Sequence, residues 1–280
     1  MEHLGNSIEF ISLNIKNMSE NLIVPTMAEM MAKGEQPEVL FWVGCSGSFD
    51  DRAKKITKAF VRILNRANVS FAVLGAEESC TGDPAKRAGN EFAFQMQAMM
   101  NIQVFDAYEV KKIVTACPHC FNTLKNEYPE LGGKYEVVHH TEFLKSLLDS
   151  GRLTIEGGQF KGKKITFHDP CYLGRANKIY EAPRDLIQKL DAELVEMKRS
   201  KANGLCCGAG GAQMFKEPEK GNKDINMERT EEALQTKPDI IAAGCPFCNT
   251  MLTDGVKFNH KEGEVQVLDV AELIANAQDL

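Results

Sequence analysis

The sequence predicts an α/β protein of two tandem-duplicated domains, each a small, mostly parallel sheet flanked by helices. Three observations carry that expectation. Eight of the nine cysteines form two sets in one register: Cys45, Cys80, Cys117 and Cys120 recur as Cys171, Cys206, Cys245 and Cys248, at offsets of 126, 126, 128 and 128 residues. Short β-branched apolar runs alternate with helical stretches in both halves, the pattern of β-α-β units. At 280 residues the chain is also long enough for two domains of ordinary size.

Residues 1–36 have no counterpart in the second half and read as an N-terminal arm, with Met18 heading its more regular segment. The first repeat, 37–150, opens on the run Val39–Val43. A helix over Asp51–Asn65 follows, in which Ile56, Ala59, Phe60, Ile63 and Leu64 share one face and Asp50 caps the start. Further strands are predicted at Phe71–Leu74 and Ile113–Thr115, and the repeat closes with a strand over Tyr135–Val138 and a helix over Thr141–Ser150. Residues 151–164, rich in Gly and Lys, form the linker, with Leu153–Ile155 a candidate for an extra strand. The second repeat, 165–280, has strands at Ile165–Phe167, Leu194–Met197, Ile240–Ala243 and Val265–Leu268, then a helix over Ala271–Ala277. Glu142 and Glu272 fall at matching places.

Cys45, Cys117, Cys171 and Cys245 all follow directly on a predicted strand, and Cys80 and Cys206 lie a little beyond another. Loops at the carboxyl ends of strands converge on the ligand crevice of an open α/β sheet. Four distant cysteines can therefore meet at one point. A net charge of -6 without a long basic patch argues against nucleic-acid binding. No apolar run approaches the ~18 residues of a membrane span. The N-terminal stretch lacks the basic start of a secretory signal. The expectation is a cytoplasmic protein whose cysteines are metal ligands or redox groups rather than disulfides, and the odd count of nine agrees.

Cys117-Pro118-His119-Cys120 and Cys245-Pro246-Phe247-Cys248 place two thiols one helical turn apart. A CxxC alone is shared by zinc sites and thiol-redox sites, but matched upstream cysteines favour metal. Four thiolates suit Zn²⁺ or an iron-sulfur cluster. The second set resists zinc because Cys207 adds a fifth sulfur, and adjacent Cys206 and Cys207 can reach different irons of a larger cluster. Gly208, Gly210 and Gly211 would let backbone N–H groups approach the cofactor. A structural zinc scaffold without redox activity and a metal-free thiol-disulfide enzyme are the competing readings.

The pattern Cys171-x34-Cys206-Cys207-Gly208-x36-Cys245-Pro246-Phe247-Cys248, opened by His168-Asp169-Pro170-Cys171-Tyr172-Leu173-Gly174-Arg175, resembles the cysteine-rich CCG domain. That domain occurs in the B component of heterodisulfide reductase and in iron-sulfur subunits of lactate, glycolate and glycerol-3-phosphate oxidation systems. Cys-Thr-Gly-Asp-Pro at 80–84 and Cys-Pro-His-Cys-Phe-Asn-Thr-Leu at 117–124 bring the chain nearest to iron-sulfur oxidoreductases associated with electron-transfer flavoprotein and menaquinone. The resemblance covers about residues 37–280. It implies an iron-sulfur electron-transfer subunit of a multi-subunit oxidoreductase, working between a flavoprotein or organic-acid dehydrogenase and a quinone or disulfide acceptor. It implies a noncubane [4Fe-4S] cluster on Cys171, Cys206, Cys207, Cys245 and Cys248. Thr81 stands where the first half would have its second paired cysteine, so Cys45, Cys80, Cys117 and Cys120 suit a cubane [4Fe-4S] cluster or zinc. The implied partners are a ferredoxin-type iron-sulfur or flavoprotein subunit and a membrane quinone-reducing subunit, which would tie a cytoplasmic protein to the inner membrane face. The C-x2-C-x2-C-x3-C run of fused ferredoxin-type domains does not occur in the sequence, so electrons are expected to pass through another subunit.

No side chain is singled out as catalytic. His168 and Arg175 are candidates for supporting the second cluster, His168 by a hydrogen bond or proton transfer and Arg175 by its charge. His119 shares the first role; Lys178, Arg52, Lys54 and Lys55 share the second, or are solvated. His139 and His140 are expected to be structural or surface residues and Trp42 a packing residue. Met27, Met30 and Met31, like Met96, Met99 and Met100, are helix-spaced and read as core or interface.

Overall fold

A computed structural model describes residues 22–155, 158–217 and 220–280. These fall into two compact units, the first ending at His140 and the second spanning Thr141–Leu280. The first contains α1 (Met27–Ala32), β1 (Val39–Trp42), α2 (Gly44–Phe49), α3 (Asp51–Arg66), β2 (Phe71–Ala72), α4 (Asp83–Arg87), α5 (Glu91–Ala107), β3 (Lys112–Thr115), α6 (Pro118–Asn122) and β4 (Glu136–His139). As β4 ends, α7 (His140–Asp149) begins. The second unit continues with β5 (Lys164–Phe167), α8 (Glu181–Gln188), β6 (Glu193–Leu194), α9 (Ile225–Leu234), β7 (Ile240–Ala243), α10 (Pro246–Phe258), β8 (Gln266–Asp269) and α11 (Val270–Asn276).

Each unit holds one four-stranded sheet, ordered β2-β1-β3-β4 and β6-β5-β7-β8, and every pairing is parallel. Continuous apolar runs explain this: all of β1 and all of β7 are buried, which requires cover on both sheet faces. The registers repeat too. Leu40 pairs with Ile113, and Thr166, at the equivalent place, pairs with Ile241. In both sheets the chain starts on an inner strand, moves to one edge, then crosses back to the other side. The switch lies between β1 and β3 and between β5 and β7, where a doubly wound sheet opens a crevice at its carboxyl edge.

Asp50 caps α3 as predicted, its carboxylate accepting the Ala53 N–H at 2.7 Å. Ile56, Ala59, Phe60, Ile63 and Leu64 are buried on that helix, and Phe60 meets Phe41 edge-on with centroids 5.0 Å apart. Trp42 is fully buried against Phe105. Full burial of such side chains stabilises by about 1.5–3 kcal/mol each. His139 and His140 are buried and in contact, so theirs is a structural place and not a surface one.

Several expectations change in detail. Leu153–Ile155 forms no strand; Leu153 is buried and its N–H returns to the Leu147 carbonyl, finishing the turn after α7. β2 stops at Ala72 because Val73 exchanges hydrogen bonds with the chain at Pro25 and Met27. The described part of the predicted arm thus joins the first sheet, and α1 buries Met27 and Met30 under a Thr26–Glu29 capping box. Residues 1–21, including Met18, lie outside the described residues. Met31, Met96, Met99 and Met100 are exposed. Among the described residues no helix is long and apolar enough to cross a membrane.

Candidate metal centres

In the first unit Cys45 sits on α2 just beyond β1. Cys117 N-caps α6 just beyond β3, and Cys120 follows one turn later. Cys80 arrives on the loop after β2, and three side chains hold that loop. The Glu78 carboxylate accepts the N–H groups of Val43 at 3.1 Å and Gly44 at 2.6 Å. Asn101 Nδ2 donates to the Cys80 carbonyl at 2.9 Å, and Tyr128 Oη to the Thr81 carbonyl at 3.1 Å. Gly82, at φ 87°, turns the chain so that its own N–H meets Cys80 Sγ at 3.4 Å, a conformation that disfavours any residue with a Cβ.

The second unit reaches the same arrangement with other supports. Cys171 precedes a π-helical turn at Tyr172–Ala176, Cys245 N-caps α10, and Cys248 lies one turn on. The loop carrying Cys206 and Cys207 is braced by charge. Buried Arg184 grips Asp169 with two bonds of 2.8 and 2.9 Å and also reaches Glu196. Asp169 accepts the Lys201 N–H at 2.7 Å, and Arg175 donates to the Gly204 carbonyl. Gly208, at φ 91°, gives its N–H to Cys206 Sγ at 3.3 Å, the counterpart of Gly82. Gly210 is half-buried and Gly211 exposed.

All nine thiols are drawn into these two sets. In the first, Cys45 bonds to Cys80 and Cys117 to Cys120, with charge interactions linking the pairs. The bond from Cys45 draws Cys80 down to about 7 against its burial, while that same bond and burial push Cys45 far up. In the second, a chain runs Cys171, Cys206, Cys207, Cys248, Cys245. Donation by Cys171 and Cys207 holds Cys206 far below the usual thiol range, and the bond to Cys206 is the main cause that pushes Cys207 up to about 12. Neither set can ionise together as an isolated group of thiols. A multivalent cation removes that conflict, which is the chemistry of a thiolate-bound metal centre.

Thr81 is buried in the place of Cys207. Its hydroxyl donates to Cys120 Sγ at 3.9 Å, whereas Cys207 bonds to Cys248. A ring nitrogen of His168 and the sulfurs of Cys207 and Cys248 lie within 4.8 Å of one another, all buried. Burial pushes the His168 imidazole down to about 3, so it is neutral. His119 is instead bonded to Asp83 at 3.1 Å, tying α4 to α6. The first site borders an apolar cavity of about 440 Å³ lined by Val24, Phe41, Val43, Cys45, Val61 and Cys80. Lys54 pairs with Asp51 at the surface, and Lys178 Nζ bonds to the Arg175 carbonyl.

Sequence reasoning missed Glu78, Asn101, Tyr128, Arg184 and Arg229. The contacts by which they reach the sites span 12 to 61 residues of chain, so no local spacing announces them. Arg229 left a faint signal as the charged member of the face of α9 that also carries Asn226, Thr230 and Ala233.

Residues 39–125 and 165–253 match the family described as cysteine-rich domain, CCG. The chain is 47% identical over 265 residues to the probable iron-sulfur-binding oxidoreductase FadF of Bacillus subtilis, covering 94% of this chain and 37% of that protein. It is 44% identical over 252 residues to the EtfAB:quinone oxidoreductase of Syntrophomonas wolfei, covering 88% and 35%. The D component of the dihydromethanophenazine:CoB–CoM heterodisulfide reductase of Methanosarcina barkeri is 34% identical over 254 residues, covering 88% and 60%. The chain thus spans 35% to 60% of the length of these curated relatives.

Proposed function

The chain belongs to the cysteine-rich CCG domain family, with two such domains in tandem, and from that premise we propose that it is the iron-sulfur electron-transfer portion of a larger oxidoreductase. The observation that supports this most is the convergence of nine thiols on two matched sites at the crevice edges of parallel sheets. The names of its relatives support the class of reaction: an oxidoreductase linked to a quinone in one case and to a heterodisulfide in another. Flavoprotein or organic-acid dehydrogenase as donor, and quinone or disulfide as acceptor, fit both names.

Iron-sulfur clusters, when bound, would supply one-electron chemistry at each site. The chain's own residues would hold them. Cys171, Cys206, Cys207, Cys245 and Cys248 offer five sulfurs, which suits a noncubane [4Fe-4S] cluster. Cys45, Cys80, Cys117 and Cys120 offer four, which suits a cubane. Burial of Cys117, Cys120, Cys207, Cys245 and Cys248 keeps water from those ligands. The N–H groups of Gly82 and Gly208 stabilise thiolate on Cys80 and Cys206. Arg175 orients the Cys206 loop through the Gly204 carbonyl. Partner subunits of the ferredoxin or flavoprotein kind, and a quinone-reducing subunit that brings the assembly to the membrane, complete the proposal.

One observation favours a second reading at the first site alone. With Thr81 in place of a fifth cysteine, four thiols meet the requirement of closed tetrahedral zinc. Anaerobic purification with iron, zinc and acid-labile sulfide analysis decides the matter. Two four-iron clusters give about eight irons per chain, and one cluster with zinc gives about four. A protein with no iron and no sulfide would sink the redox reading.

A further inference from the structure

The duplication extends to a pair of ring nitrogens. Trp42 stands three residues before Cys45, and His168 three residues before Cys171, at the same 126-residue offset as the cysteines themselves. Trp42 is the last residue of β1 and His168 the first beyond β5, where its N–H bonds to the Ala242 carbonyl at 2.8 Å. Both side chains are fully buried. Among the described residues, neither Trp42 Nε1 nor His168 Nε2 has a hydrogen-bond partner. A buried N–H left unpaired costs about 1–3 kcal/mol, so two at equivalent positions beside metal-ligating sets call for an acceptor.

Both nitrogens border the cysteine sets. A Cβ built on Gly44 would come within 3.3 Å of Cys120 Sγ and 3.8 Å of Trp42 Nε1, so sulfur and indole flank the same glycine. His168 lies in the buried group with Cys207 and Cys248. Its tautomer follows from its neighbour. Arg229, fully buried, directs Nε–H at His168 Nδ1 at 2.9 Å. Guanidinium has donors only, so Nδ1 must accept and the imidazole proton must sit on Nε2. A nitrogen carrying that proton cannot ligate iron; it can only donate. Arg229 is itself held by Glu232 at 3.1 Å and the Arg199 carbonyl at 2.8 Å.

Building on the iron-sulfur reading, we infer that Trp42 Nε1–H and His168 Nε2–H are dedicated hydrogen-bond donors to the sulfurs of the first and second centres, with Arg229 the positioning residue that fixes the His168 tautomer. The same backbone position thus serves both sites through different rings. In each unit the donor favours the reduced, more negative state and raises the reduction potential. The proton stays on nitrogen in both redox states.

The test is an anaerobic potentiometric titration followed by EPR, on protein whose iron and sulfide content has been measured first. Trp42→Phe and His168→Phe keep a ring and remove the N–H. Each is expected to make reduction of its own centre about tenfold less favourable, ~59 mV for a one-electron couple, and to leave the other centre unchanged. Arg229→Gln should shift the second centre alone and Arg229→Lys should partly restore it. A second readout needs no substitution at either ring: with ¹⁵N placed in the single tryptophan or in the histidines, ENDOR on the unmodified protein should show indole nitrogen coupled to the first centre and imidazole nitrogen coupled to the second, signals that the backbone N–H groups of Gly82 and Gly208 cannot supply. Loaded variants with unchanged potentials, equal shifts of both centres, or no ring-nitrogen coupling would overturn the inference while leaving the iron-sulfur reading intact. An iron-free protein would overturn both.

Discussion

At the first site Thr81 points its hydroxyl at Cys120, and at the second Cys207 takes that place and bonds to Cys248. Around this difference the scaffold is unchanged: a positive-φ glycine donates to the cysteine of the loop, and a CxxC pair opens the helix after the third strand of each sheet. The number of sulfurs on offer is therefore set by one side chain, and the fold merely presents it. The supports diverge more. The first loop rests on Glu78, Asn101 and Tyr128, while the second rests on the Arg184–Asp169 pair and the Arg229–Glu232 pair. The first cradle combines uncharged donors with the carboxylates of Glu78 and of Asp83, the latter bonded to His119 and Arg87, whereas the second is held mainly by buried arginine–carboxylate pairs.

The comparison breaks most severely at Cys207. In Cys207→Ser the second centre should be lost and the first kept, so iron per chain falls by about half when both hold four-iron clusters. Loss of both centres would mean the sites are not independent. The reciprocal change, Thr81→Cys, should give the first site five sulfurs, and its spectrum should converge on that of the second.

Smaller effects test the supports. Arg184→Met leaves Asp169 buried without its cation and should destabilise the second unit by about 3–5 kcal/mol, read by denaturant unfolding. Tyr128→Phe removes two neutral hydrogen bonds in the first unit, the one its hydroxyl donates to the Thr81 carbonyl and the one it accepts from Asn101 Nδ2, and should cost about 1–3 kcal/mol. Equal losses would erase the proposed contrast between charged and uncharged support. The smallest change concerns the helices after the leading cysteines. Asp50→Ala should cost about 1 kcal/mol by uncapping α3, whereas α8, which has no side-chain cap, offers no equivalent position.

The cysteine register makes the duplication readable from the chain alone, because ligands at strand ends are fixed by chain position. Seven of the eight strands lie within two residues of where apolar runs place them; β6 stops short at Leu194, as Glu196 turns to meet Arg184. What stays hidden depends on tertiary contact. Pairing of Val73 with Pro25 and Met27 shortens β2, and the exposed faces of Met96, Met99 and Met100 share their spacing with buried ones. His168 is recognisable as a neighbour of the site, but its role depends on Arg229, which lies 61 residues further on. Trp42 reads as packing alone, and packing it does; its unpaired N–H is visible only in three dimensions.

Two metal centres made unequal by Cys207 and Thr81 are the core of the proposal, and Mössbauer spectroscopy of anaerobically purified, ⁵⁷Fe-labelled protein tests it most directly. Two distinguishable iron species are expected, one of which disappears in Cys207→Ser. A single species, unaffected by that substitution, would contradict it.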